Sequence, residues 1–266
     1  MHLPTRETLW VDTPHGRLFC CRWFPVTVAG EPQRPPIILF HDSLGCVALW
    51  RDFPQQLCLA TGREVIAYDR LGFGQSAAHP GALALDFIRD EAECCFSHVR
   101  RSLQIGRFVA LGHSVGGAMA AACAAFYGQH CTALITLSAQ AFVEDRTVQG
   151  IREAQLLFGQ PGQLARLEKY HGDKAPWVLE AWTGTWLSPA FSPWTIESVI
   201  DTLACPLLAL HGVHDEYGSE LHPKRIARLT SGPGHYQLID DCHHLPHREA
   251  PDVVLAAVQR MLTTHD

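Results

Sequence analysis

Five short apolar runs, each bounded by turn residues, constrain this chain more than any other feature. They are Pro36–Phe40, Val65–Tyr68, Phe108–Leu111, Ala133–Leu137 and Pro206–Leu210. A strand with one wet face alternates polar and apolar residues, whereas one covered on both faces is free to be apolar throughout, as these are. Helical stretches lie between and after them. Leu85–Leu103 carries apolar residues near a 3.6 period, Val115–Tyr127 is alanine-rich, and Ala250–Leu262 sets Val253, Val254, Ala257, Val258 and Leu262 on one side. The alternation predicts an α/β fold: a mostly parallel sheet with helices on both faces.

Two regions depart from that rhythm. Residues 8–24 form two β-like runs around Thr13-Pro14-His15-Gly16, which predicts a hairpin, and Gly30–Pro36 reads as a proline-rich loop. Residues 142–201 lean helical, hold no clear buried strand and contain Trp177, Trp182, Trp186 and Trp194. Sixty residues exceed an ordinary connection, so a helical insertion is expected there. The predicted organisation is a core domain of residues 1–141 and 202–266 with a helical cap subdomain at 142–201. At 266 residues the chain is at the upper limit of one hydrophobic core.

Composition narrows the partners. The net charge is −6 and no basic tract interrupts the sequence, which argues against a nucleic-acid or anionic-membrane surface. Met1–Trp10 has charges at Arg6 and Glu7 and no apolar h-region, so no signal peptide is expected. The nearly uncharged run Phe108–Phe142 is broken by Gly112-His113-Ser114, Gly116-Gly117 and Gly128-Gln129-His130 and reads as strand, turn, helix and strand rather than a membrane span. Together with ten cysteines lacking any CxxC pair, this predicts free thiols in a cytoplasmic protein. Cys242-His243-His244 with His247 is the richest ligand-type cluster, but it has no second half, and no metal is expected.

Gly112-His113-Ser114-Val115-Gly116 matches G-x-S-x-G and lies between a predicted strand and the alanine-rich helix. A sharp turn there exposes the serine, the glycines let strand and helix approach, and the helix start supplies an amide for a developing oxyanion. A neutral serine needs a base, and the base needs a carboxylate. Asp215 follows the Leu207–Leu210 strand and is preferred to its neighbour Glu216; Asp145 is a weaker alternative. A further strand, Tyr236–Ile239, leads into Asp240-Asp241-Cys242-His243-His244. The base then lies among His243, His244 and His247, a choice that spacing leaves open.

Four segments in order resemble the α/β-hydrolase superfamily over nearly the whole chain. His41-Asp42-Ser43-Leu44-Gly45 is similar to its His-Gly oxyanion loop, and Asp69–Ser76 to its D-x-x-G-x-G-x-S segment. Gly112–Gly117 is similar to its G-H-S-x-G-G elbow, and His244–Pro251 to its H-x-P-x-x-E-x-P ending. The resemblance implies a triad of Ser114, Asp215 and His244, with the backbone N–H groups of Ser43 and Val115 as oxyanion hole and no cofactor. Asp42 and His243 stand where the superfamily usually has glycine.

The expected reaction is hydrolysis of a small ester, enol-lactone or thioester with an apolar or aromatic part. Ser43-Leu44-Gly45 is similar to a segment of enol-lactone hydrolases. Carbon–carbon bond hydrolases share the triad but usually carry tryptophan soon after the histidine, where this chain has Leu245 and His247. Non-hydrolytic uses of the triad (lyase, perhydrolase, cofactor-free dioxygenase) and a ligand receptor are the remaining alternatives. His41, Trp177, Trp182 and Trp186 are candidate pocket residues, although His41 and Arg70 fit structural roles better. His211, His214 and His243 are expected as bystanders, and a homodimer is compatible with the sequence.

Overall fold

A computed structural model describes residues 3–26 and 34–265; most of the expected Gly30–Pro36 loop lies outside the described residues. Eight strands form one sheet: β1 (Thr5–Thr13), β2 (Gly16–Phe24), β3 (Ile37–Phe40), β4 (Val65–Tyr68), β5 (Phe108–His113), β6 (Cys131–Leu137), β7 (Leu207–Gly212) and β8 (Gly234–Ile239). Their order is β1-β2-β4-β3-β5-β6-β7-β8. The β1–β2 hairpin joins β4 antiparallel, and all later pairs are parallel.

Eleven α-helices are described: α1 (Phe53–Thr61), α2 (Phe87–Cys94), α3 (Phe96–Ser102), α4 (Val115–Tyr127), α5 (Asp145–Phe158), α6 (Ala165–His171), α7 (Ala175–Trp186), α8 (Glu197–Ile200), α9 (Leu221–Leu229), α10 (Pro246–Glu249) and α11 (Pro251–Thr264). The helix expected over Leu85–Leu103 is two helices hinged at Cys95.

The two-residue period of each strand sorts its side chains into two cores. Ile38, Phe40, Phe108 and Ala110 face the layer that contains α2, α3 and α4. Ile37, Leu39, Val109 and Leu111 face α1 and α11, through Phe53, Leu57, Val254 and Val258. This double covering explains why the runs are apolar without alternation.

Parallel pairing also brings the strand ends together. Phe40 pairs with Gly112, His113 with Leu137, Leu137 with Leu210, and Gly212 with Ile239. The loops after β3, β5, β6, β7 and β8 therefore share one edge of the sheet. Residues 142–201 are mainly helical, as expected. The neck of this segment is closed by a Phe142–Thr195 bridge and by Ile196 N–H donating to Ala141 O at 2.9 Å. Both α5 and α6 pack on α7.

Candidate active site

At the end of β5 the chain reverses into α4 through Ser114, whose φ of 55° and ψ of −128° lie outside the regions open to most L-residues. A methyl group at Gly112 would collide with the Gly116 carbonyl, and one at Gly116 with the carbonyls of Phe40 and His41. The turn is thus possible only with these glycines. It is locked by Ser114 N–H to Leu137 O and Gly117 N–H to Ser114 O, both 2.8 Å. Ser114 Oγ faces a cavity and donates a long hydrogen bond, 3.5 Å, to Gln140 Oε1.

Asp215 and His244 meet from the β7 and β8 loops. His244 Nδ1 lies 2.9 and 2.8 Å from the two Asp215 oxygens, which assigns the proton to Nδ1 and leaves Nε2 as acceptor. Asp215 is buried; burial alone would favour its neutral form, but the His244 contact, His211 and the Tyr217 amide hold its pKa well below the usual carboxylate range. Burial pulls the His244 pKa down, and the Asp215 carboxylate more than offsets it, so the net shift is upward from 6.5. Asp145, the alternative acid, is exposed at the first turn of α5.

The other histidines separate by their contacts. Glu249 accepts the amides of His243 at 2.7 Å and Leu245 at 3.0 Å, bracketing His244 from both sides. His243 itself is exposed against Glu249. His247 is buried between Trp50 and Phe53. His214 is exposed near Asp241, and His211 packs behind Asp215, its Nε2 3.1 Å from Gly218 O. Cys242, His243 and His247 thus face different neighbours, and among the described residues no group of three or more ligand-type side chains is placed to share an ion.

The loop after β3 is held from below. His41 is buried, with Nδ1 2.8 Å from Asp42 O and Nε2 accepting the Arg70 amide at 3.1 Å. Arg70 Nη2 donates to Asp42 O at 2.9 Å. Asp69 accepts amides of Val47 and Gln75 at 2.6 and 2.7 Å, while burial pushes its pKa up to about 6. His171 of α6 accepts the Gly74 amide at 2.8 Å and meets Leu44 O at 3.0 Å, tying the two loops to the helical layer.

Neither replacement of glycine strains the backbone, because Asp42 and His243 are not among the residues of positive φ. Asp42 instead uses its carboxylate: Oδ1 accepts the Leu44 amide at 2.9 Å and Oδ2 lies 3.3 Å from His113 Nδ1. Burial opposes its ionisation, but the His113 contact and the Leu44 amide prevail and hold its pKa low. His113 Nε2 donates to the His244 carbonyl at 2.7 Å, joining the loops after β3, β5 and β8. Ser43 and Val115 border one small recess with Trp182 and Trp186. Val115 is the first residue of α4, so its amide has no partner within the helix.

A cavity of about 780 Å³ lies over Ser114 and His244, within the range of small-molecule sites. Its walls include Ile151, Ala154 and Leu157 of α5, Leu167 of α6, and Trp182 and Trp186 of α7. Two expected pocket residues are elsewhere. His41 is sealed beneath the loop by Arg70. Trp177 stacks on His79 at 5.0 Å and donates Nε1–H to Gly81 O, because its position on α7 faces the Gly72 loop. Gln140, His171 and Tyr217, which contact the site, carry no local sequence signature; Gln140 is signalled only by following β6 at the shared edge.

A sequence profile described as alpha/beta hydrolase fold matches residues 35–161. The thermophilic esterase of Thermogutta terrifontis superposes with a TM-score of 0.72 at 21% identity, covering 98% of this chain and 100% of that one. Proline iminopeptidase of Mycobacterium smegmatis gives 0.71 at 19% identity, covering 97% and 98%. The chain has the α/β-hydrolase fold.

Curated relatives match over shorter stretches. Human 1-acylglycerol-3-phosphate O-acyltransferase ABHD5 is 30% identical over 112 residues, 42% of this chain and 32% of the relative. Bovine (lyso)-N-acylphosphatidylethanolamine lipase is 33% identical over 96 residues, 36% and 28% respectively. The match thus spans about a third of each relative's length. Among the described residues no helix is long and apolar enough to cross a membrane.

Proposed function

We propose that this protein is a serine hydrolase that cleaves a carboxylic ester, enol-lactone or thioester through an acyl-enzyme on Ser114. The observation that carries the reading is the His244 ring: both Asp215 oxygens hold Nδ1, so Nε2 is the basic nitrogen beside the cavity that Ser114 lines. His244 takes the Ser114 proton as Oγ attacks the carbonyl carbon, and Asp215 stabilises the imidazolium. The Ser43 and Val115 amides receive the oxyanion. His244 then protonates the leaving group, and it activates water to release the acid. Residues 142–201 act as a cap whose α5–α7 faces supply the apolar wall for the acyl or leaving group. The curated relatives, an acylglycerol-phosphate acyltransferase and an N-acylphosphatidylethanolamine lipase, are both named for acyl-group chemistry, which supports this reading.

A fluorophosphonate probe is expected to label wild-type protein at Ser114, read by peptide mass spectrometry. Absence of labelling would sink the reading. The pH dependence follows from the upward shift of His244. The base must be neutral, so kcat/KM is expected to rise with pH through an apparent pKa above 6.5, the ordinary histidine value. A limb at or below that value in a kcat/KM profile would contradict the Asp215–His244 assignment.

A further inference from the structure

Arg51 has almost the same backbone conformation as the nucleophile: φ 54° and ψ −126°, against 55° and −128° at Ser114. A residue with a Cβ holds such a conformation only where its surroundings enforce it, and such sites cluster at functional positions. Arg51 is enforced from both sides. Trp50 and Phe53 are buried and stacked at 5.9 Å, and the turn before them is anchored by Val47 N–H on Asp69. The constraint sends the Arg51 side chain to the cavity wall, where Nη2 meets the Tyr170 hydroxyl at 3.1 Å.

Three further cations line the same cavity. Arg166 and Lys169 are on α6 with Tyr170; Arg166 Nη1 donates to Gln163 Oε1 at 3.1 Å, and Lys169 Nζ lies 5.6 Å from the Tyr170 ring. Arg248 follows His247, whose ring packs on Trp50 at 4.8 Å. Among the described residues none of the four forms an ion pair. Of the acidic lining residues, Asp42 is engaged by His113 and the Leu44 amide, while Glu153 is on α5 and Glu216 on the loop that packs on Gly150 of that helix. In a chain of net charge −6, four unpaired cations along one cavity wall attract an anion.

We propose that this wall is an anion-recognition subsite centred on Arg51, for an acyl substrate whose end remote from the scissile carbonyl carries a phosphate or carboxylate. A guanidinium pairs with either group through two parallel N–H···O bonds, and the apolar lining between the wall and Ser114 accommodates the connecting chain. As a statement about the substrate it rests on the hydrolase reading. As a statement about binding it does not.

The test separates the two. Calorimetric titration of Ser114→Ala protein with octyl phosphate, octanoate and octanol reads the subsite without turnover. One or both anions are expected to bind about tenfold tighter than octanol, the effect of one charge-assisted pair, and the stronger of the two identifies the group. Added salt should weaken the preference. Equal affinity for all three overturns the proposal, whatever the kinetics give. Arg51→Gln in that background should abolish the preference. Arg51→Gly should abolish it without lowering the melting temperature, because glycine tolerates the backbone; a preference retained in both variants overturns the assignment to Arg51. With wild-type enzyme, p-nitrophenyl octanoate is compared with the mono-p-nitrophenyl ester of octanedioic acid. Turnover of both, with no anion preference in the titration, removes the subsite and leaves the hydrolase. Turnover of neither, with anion-selective binding, removes the hydrolase and leaves the subsite.

Discussion

Ser114→Ala is expected to lower kcat on a p-nitrophenyl ester by about a millionfold, the loss seen when the nucleophile of a triad is removed, because the members act as a unit. The residual rate should stay above that of water, since the Ser43 and Val115 amides and the cavity remain. Stability should move in the opposite direction in a companion variant. Ser114 sits at φ 55° and ψ −128°, a conformation that costs about 1–3 kcal/mol for a residue with a side chain. Alanine retains that cost, whereas glycine relieves most of it. Ser114→Gly should therefore be equally inactive but melt several degrees above Ser114→Ala, roughly 2–4 °C per kcal/mol for a chain of this size. Thermal denaturation of the two variants side by side checks this; equal melting temperatures would mean that the elbow stores no strain.

The second large effect is Asp215→Asn, for which kcat should fall by about 10⁴ with little change in fold. The side chains have the same shape, so the pocket of His211, Tyr217 and Gly218 remains filled. What changes is the proton. An asparagine amide can donate to Nδ1, which places the ring hydrogen on Nε2, where it can no longer accept from Ser114. Loss of the carboxylate also removes what holds the His244 pKa up, so any remaining activity should show its acidic limb at lower pH. Steady-state kinetics across pH on wild type and variant would measure both effects. Full activity in Asp215→Asn would return the acid role to Glu216 or Asp145.

The parts of the site visible in the sequence are those where local chemistry and strand order coincide. The G-x-S-x-G turn is tied to its glycines because the backbones of β3, β5 and α4 nearly touch there. Asp215 is marked by its distance past β7. His244 is less legible: three histidines lie within five residues, and only the resemblance distinguishes it. The structure supplies the physical reason, because Glu249 grips the amides on either side of His244 while His247 packs into an aromatic pocket.

Other features depend on distant neighbours and leave no local trace. The Asp42 carboxylate holds the Leu44 amide and faces His113, and its backbone needs no positive φ although the superfamily usually has glycine there. Trp177 points away from the cavity because α7 has two dissimilar faces, one toward Ser114 and one toward the Gly72 loop. The conformation of Arg51 arises from the burial of Trp50 and Phe53, and no residue preference announces it.

His113 shows how the proposed triad is mounted. By donating to the His244 carbonyl beside Ser114, it ties the turn after β5 to the loop after β8. Asp215 is tied elsewhere, since Arg146 at the start of α5 donates to its carbonyl at 3.1 Å and Thr147 to that of Tyr217 at 2.7 Å. The loop that carries Asp215 is thus anchored to α5, whereas Ser114 and the His244 loop are anchored to each other through His113.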